Sequence, residues 1–252
     1  AGRVALTVYT FSEEGDRNQY LVVCGRRDII QQEEETYQTY ASKVIGGGGT
    51  IKIDSLQTLH CATTVYGVTR GNLEEITPLS SFYHRRTSEE IVVALDHLFN
   101  DTLGPWYKQA GYARQNEGLK SFFRTHFQLS STSPKLEKLE TQLAEIRQNG
   151  IAAGLHALEQ ISPRLISLMT QIEAISDVDV RYGTTPGDLN GNNILVDLTG
   201  DTWLIDFSQV SYGPLMRDFL SLETSIKFRL MNTLNTAERY KLEEALLDVT
   251  YL

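Results

Sequence analysis

The chain has 252 residues, 41% of them hydrophobic and 22% charged, with a formal net charge of -9. That length and apolar share are enough to bury a sizeable core, and the acidic balance argues against general binding to nucleic acid or to an anionic membrane surface. No apolar run reaches the roughly 18 residues of a membrane-spanning helix, no signal-peptide pattern is present, and Cys24 and Cys61 show no metal-ligand spacing with the five histidines. A cytoplasmic protein is expected, with both cysteines half-buried in strands.

Residues 3–11 (RVALTVYTF) alternate well enough for a strand, 12–18 form a turn, and 19–24 (QYLVVC) read as a second strand. Asp28 is placed to cap a helix running to about residue 41, carrying Ile29, Ile30, Tyr37 and Tyr40. Glu33, Glu34 and Glu35 read equally as a solvated helix face or as the source of one inward carboxylate. Arg26 and Arg27 read as surface residues or as phosphate contacts. Gly46-Gly47-Gly48-Gly49 lacks the Lys-Ser/Thr of a Walker loop and precedes a strand, so it reads as a linker. Strands are expected at 50–53, 56–61 and 63–68.

Thr87-Ser88-Glu89-Glu90 is a capping-box pattern, and the helix behind it carries Ile91, Leu95, Leu98, Phe99 and Leu103 on one face, with Gly104-Pro105 as its stop. Trp106 and Tyr107 are expected to seal the core. Helices are also expected over 119–129, 133–150 and 163–175, the second with a 3–4 apolar spacing that also suits a partner helix. The last stretch, 241–252, reads as a helix without a stop signal, and both ends read as cut.

Two short apolar runs, 194–196 and 203–205, flank the turn-rich Asp197-Leu198-Thr199-Gly200-Asp201 and so predict a β-hairpin. A hairpin brings its outer ends together, which sets Asn193 beside Asp206, with Asp188 on the loop five residues before Asn193. An amide and a carboxylate oxygen side by side suit Mg²⁺, which prefers one or two protein oxygens completed by phosphates and water. The alternative is a structural hairpin with incidental acids.

The D-x-x-x-x-N spacing followed by Asp206-Phe207 resembles the catalytic loop of protein-kinase-like phosphotransferases, in the aminoglycoside and choline kinase branch. Gly213-Pro214-Leu215-Met216-Arg217-Asp218-Phe219-Leu220 is similar to the bacterial ternary complex associated domains, kinase-like modules of multidomain signalling or defence proteins. The resemblance implies an α+β, bilobal kinase-like fold. Residues 1–70 would be a small antiparallel β lobe with one helix, lacking its Gly-rich loop, and 71–252 a mainly helical large lobe with its catalytic loop at 186–208.

The same resemblance implies ATP and Mg²⁺ as cofactors. Asp188 would be the catalytic base, Asn193 and Asp206 would hold metal and nucleotide, Val23 would stand at the small-lobe lysine position, and Tyr66 and Val68 would lie near the adenine-contacting hinge. Arg217 and Asp218 are expected to form an ion pair or a cap behind the loop. The chain departs from the pattern in three places. Pro186 stands where the branch has histidine, Ser208 stands where D-F-G has glycine, and Val23 or Cys24 stands where the lysine belongs, which is expected to leave the helix unanchored. Two functions follow: an ATP-dependent kinase with a hydroxyl acceptor that the sequence does not identify, or a pseudokinase serving as a nucleotide-sensing or scaffold module among partner domains. A third reading, an unrelated α/β binding domain, treats the hairpin acids as coincidence.

Overall fold

The computed structural model describes residues 3–14, 17–44, 50–68, 75–112 and 180–231, with isolated helical positions between 120 and 174 and between 237 and 244. The helices expected at 119–129, 133–150, 163–175 and 241–252, and the glycine linker at 46–49, lie outside these stretches. The chain divides into two compact units. The first comprises Ala1–Lys108, Thr184–Ser211 and Met216–Leu252, and the second Gln109–Gly183 and Tyr212–Leu215.

The first unit opens with strands β1 (Arg3–Phe11) and β2 (Arg17–Arg26), helix α1 (Arg27–Thr39), a 3-10 turn (Ala41–Lys43), and strands β3 (Thr50–Gln57) and β4 (Cys61–Val68). The strands form an antiparallel sheet in the order β1-β2-β4-β3. Strand pleating puts Leu21 and Val23 on one face with their cross-strand partners Tyr66 and Thr64, and all four are buried. On α1 the buried residues are Ile30, Glu33 and Tyr37, at the 3–4 spacing of one helix face. On the opposite sheet face, Val4, Leu6 and Val8 of β1 are exposed.

Three expectations for this region need correction. Asp28 does not cap α1. The N-cap is Arg26, which has no side-chain capping bond, and its guanidinium takes the Asp28 carboxylate at 2.6 Å. No strand spans 56–61. Thr58 donates both its N–H and its hydroxyl to the Cys61 carbonyl, each at 2.8 Å, which closes a turn, and β3 runs unbroken from Thr50 to Gln57 before it. Cys24 is half-buried as expected, whereas Cys61 is exposed, and both are free thiols.

The first unit continues with β5 (Thr77–Pro78), α2 (Leu79–Arg85) and α3 (Ser88–His97). The capping box forms: the Glu90 N–H donates to Thr87 Oγ1, and the Thr87 N–H donates to the Glu90 carboxylate. The helix then widens into a π turn (Leu98–Thr102). Gly104-Pro105 opens a new helix, α4 (Gly104–Lys108), a first-turn place that suits proline because its missing N–H is not needed there. Trp106 is fully buried, as expected.

In the second unit, β6 (Gly111–Tyr112) pairs antiparallel with the start of β7 (Arg181–Thr185), setting Gly111 opposite Tyr182. Back in the first unit, β8 (Ile194–Val196) and β9 (Thr202–Leu204) form the expected hairpin, with Ile194 opposite Leu204 and Val196 opposite Thr202. Asp197 ties its turn: its Oδ1 accepts from the N–H and hydroxyl of Thr199 and from the N–H of Asp201, all within 3.0 Å. Gly200 completes the turn at φ +88. A 3-10 turn (Phe207–Gln209) follows, then strand β10 (Ser211–Pro214), all but Ser211 of which belongs to the second unit, and helix α5 (Met216–Ser225) with a π turn (Ile226–Leu230) back in the first. No helix among the described residues is long and apolar enough to cross a membrane.

Candidate functional site

The hairpin's outer end brings the polar groups together. The Ile205 N–H donates to the Asn193 carbonyl at 3.0 Å, so the residue before β8 lies against the residue just before Asp206. The Asn193 amide nitrogen donates to the Asp188 carbonyl oxygen at 2.9 Å and to Asp188 Oδ2 at 3.2 Å. This orientation leaves Asn193 Oδ1 as the atom offered to a cation. Asp188, Asn193 and Asp206 are all half-buried.

Asp206 stands at φ +64, a left-handed conformation uncommon outside glycine but tolerated by Asp and Asn. Its Oδ1 accepts from the Ser208 N–H at 3.3 Å and from the Ser208 hydroxyl at 2.6 Å, so the carboxylate caps the 3-10 turn that follows. Ser208 therefore has a definite job at the position where D-F-G has glycine. A serine two residues after an aspartate is a local capping signal visible in the sequence.

The loop from 187 to 193 is fastened on several sides. The Gly187 N–H donates to Asp218 Oδ1 at 3.0 Å, and the Tyr107 hydroxyl donates to Asp218 Oδ2 at the same distance. The Gly191 N–H donates to Ser225 Oγ, and the Gly191 carbonyl accepts from the Ser80 N–H. Asn190 Oδ1 accepts from the Asn192 N–H, and Asn192 Oδ1 accepts from the Ser80 hydroxyl, so both asparagines are loop hydrogen-bonders. Asp218 acts as the expected cap behind the loop. Tyr107, Ser80 and Ser225 come from distant parts of the chain, and no local pattern in the sequence points to them.

In the small sheet, the pleat sends Val23 and Cys24 to opposite faces. Val23 lies on the α1 face in register with Thr64, whereas Cys24 lies on the other face, where its sulfur accepts from the Thr63 hydroxyl. Tyr66 is fully enclosed, and its hydroxyl donates to Glu33 Oε1 at 2.5 Å. The Phe207 N–H reaches the same Glu33 oxygen at 3.3 Å. Val68 is the last residue of β4, and its side chain lies outside the described residues.

The expectation that α1 is left unanchored is overturned. Glu33 ties it to β4 and to the turn after Asp206. Next to it, Glu34 is salt-bridged to the nearly buried Lys52 on β3 and also accepts from Ser55. Lys52 holds the Glu34 carboxyl below its ordinary pKa. A buried carboxylate is costly unless it is hydrogen-bonded, and Tyr66 and Phe207 each give a donor to Glu33 Oε1 in the core.

The hard-oxygen set fits a small divalent cation that arrives with phosphate: one amide oxygen and one carboxylate are the usual protein share for Mg²⁺. Among the described residues, no cluster of three or more His, Cys, Asp or Glu can hold a metal by itself.

Comparison with known proteins gives two kinds of likeness. A thermostable mutant of aminoglycoside phosphotransferase APH(4)-Ia, in ternary complex with ADP and hygromycin B, superposes with a TM-score of 0.52 at 13% identity. That match covers 96% of this chain and 78% of that one. A complex of a thermostable mutant of the same enzyme with AMP-PNP and hygromycin B gives the same score, identity and coverage. These likenesses show the fold, that of the bilobal kinase-like phosphotransferases. No curated protein matches the sequence. The family model described as ternary complex associated domain 9 matches residues 124–252, which include the loop at 187–193, the β8–β9 hairpin and α5, and the chain belongs to that family.

Proposed function

We propose that the protein binds ATP with Mg²⁺ at the hairpin end and transfers the γ-phosphoryl group to a hydroxyl acceptor. One observation carries the reading: Asp188, Asn193 and Asp206 converge on one edge, with the Asn193 amide nitrogen committed to Asp188 and its oxygen turned the other way. In this reading residues 1–70 act as the small lobe and 71–252 as the large lobe. Asp188 accepts the hydrogen bond of the acceptor hydroxyl and takes its proton as the oxygen attacks. Asn193 and Asp206 hold the cation, and Val23, Tyr66 and Val68 belong to the sheet that lies along the nucleotide. Mg²⁺, when bound, neutralises charge on the phosphates. Such transfer depends mainly on positioning and electrostatics, which loop geometry can supply. The structural neighbours are complexes with ADP and AMP-PNP, and those nucleotides support the same assignment here.

A second reading has its own observation. On the resemblance, Val23, on the α1 face of β2, stands where kinases carry a phosphate-binding lysine, and Glu33 Oε1 accepts from Tyr66 and Phe207 rather than from a lysine. That arrangement suits a pseudokinase, a nucleotide-sensing or scaffold module within a larger assembly.

Isothermal calorimetry separates the readings. ATP binding is expected to require Mg²⁺ and to weaken about tenfold or more in Asp206→Asn, which keeps the left-handed backbone but removes the charge. Phosphate transfer or release lost in Asp188→Asn identifies a kinase. Metal-dependent binding with no turnover identifies a sensor. Binding indifferent to both Mg²⁺ and Asp206 rejects the site.

A further inference from the structure

Gly187 has φ +82, and a Cβ built there would fall 2.2 Å from the Gln209 carbonyl oxygen and 2.9 Å from both Cζ and Nη2 of Arg217. The Arg217 guanidinium therefore lies against the Cα of the residue immediately before Asp188. It is held there by a bond from Nη1 to Ser211 Oγ at 2.8 Å, and the residue is only 6% exposed. From another side, the Gly187 N–H is held by Asp218, itself fixed by Tyr107. A buried guanidinium is costly unless opposite charges answer it. Burial pulls the Arg217 pKa down, and the charges of Asp218 and Asp188 push it back up.

We propose that Arg217 is the positioning residue of the candidate base: its guanidinium, oriented by Ser211, forms the floor under Gly187. No lysine can replace it, because a point charge on a flexible stem offers no plane to the loop. The base assignment within this proposal rests on the phosphotransfer reading; the fastening of the loop does not.

The test is amide hydrogen exchange by NMR on the full chain, comparing wild type with Arg217→Met, Arg217→Lys and Arg217→Ala. Exchange at residues 187–193 is expected to speed by about tenfold or more in Arg217→Met and Arg217→Lys, while β2 and β4 amides keep their wild-type rates. Methylguanidinium added to Arg217→Ala is expected to restore protection at 187–193. If phosphate transfer is measurable, kcat is expected to fall about a hundredfold, with KM for ATP changed far less. Should Arg217→Met fail to fold, Ser211→Ala removes the bond that orients the guanidinium and is expected to loosen the same seven amides. Wild-type exchange at 187–193 in Arg217→Met, or in Ser211→Ala where that variant stands in, overturns the proposal. So does protection lost evenly across β2 and β4, which would mark Arg217 as a general packing residue. Turnover unchanged in Asp188→Asn rejects the phosphotransfer reading alone, and the exchange data still decide the role of Arg217.

Discussion

Burial of Asp218 pushes its carboxyl pKa up to about 6, although the Gly187 N–H, the Tyr107 hydroxyl and the Arg217 charge all pull it down. The native residue thus takes up a proton near pH 6, and the unfolded residue only near its ordinary value of 3.8. Between those values the native state binds more protons. Its contribution to stability is full below about pH 4 and is lost as the pH rises through about 6. Asp218→Asn keeps an acceptor for Gly187 and removes the titration. The stability of wild type relative to Asp218→Asn is therefore expected to fall by about 2–3 kcal/mol between pH 4 and pH 7, read from urea unfolding at a series of pH values. Asp28, Glu34 and Glu90 have lowered pKa values and slope the other way, but they are common to both proteins and cancel in the difference. At this scale the sequence speaks through spacing. Asp188, Asn193 and Asp206 were legible because a hairpin fixes where its ends meet. Asp218 was legible behind the loop through the resemblance, whereas Tyr107, which holds Asp218, is brought there only by the folded chain.

Helix α1 shows what an element adds to its residues. Glu33, Glu34 and Glu35 are consecutive, and the turn of about 100° per residue sends each to a different environment. Glu33 enters the core to Tyr66 and Phe207, Glu34 bridges to Lys52, and Glu35 faces solvent. The run of three acids reads equally as a solvated face or as the source of one inward carboxylate, because nothing local marks which one turns inward. That depends on the 0% exposed Ile30 and the buried Tyr37, three residues before and four after Glu33. The strands show the same limit. The 194–204 hairpin announced itself through a turn containing Asp and Gly, whereas the turn at Thr58-Leu59-His60 has no glycine or proline and was read through as strand. Tyr66→Phe removes the hydroxyl donor from a buried carboxylate while leaving the ring against Phe207, 5.8 Å between centroids. Hydrogen bonds to charged groups contribute about 1.5–3 kcal/mol, and a loss of that size is expected in urea unfolding. In the Glu33→Gln background the same change is expected to cost clearly less, because the charge that needed the donor is gone. Equal costs in the two backgrounds would mean that the hydroxyl does not serve Glu33.

For the whole molecule, the two compact units allow the candidate site to be watched in isolation. Asp188, Asn193 and Asp206 lie in the first unit, and so do both tryptophans of the chain, Trp106 and Trp203, each almost fully buried. Thermal unfolding followed by tryptophan fluorescence therefore reports on the unit that carries the site. Far-UV circular dichroism reports on both units. A ligand that binds only the folded state stabilises it by about 2.7 kcal/mol at one hundred times its Kd. For a chain of this size each kcal/mol raises Tm by about 2–4 °C. ATP with Mg²⁺ at that excess is thus expected to raise the fluorescence Tm by about 5–10 °C, and ATP with EDTA is expected to leave it near the unliganded value. Asp206→Asn, whose backbone tolerates the left-handed conformation at that position, is expected to melt close to wild type without ligand and to lose most of the shift with it. A shift that survives Asp206→Asn would place the nucleotide away from the hairpin end. A shift seen by circular dichroism and absent from the fluorescence would place it in the second unit, and the assignment of Asn193 and Asp206 as its ligands would then have to be abandoned.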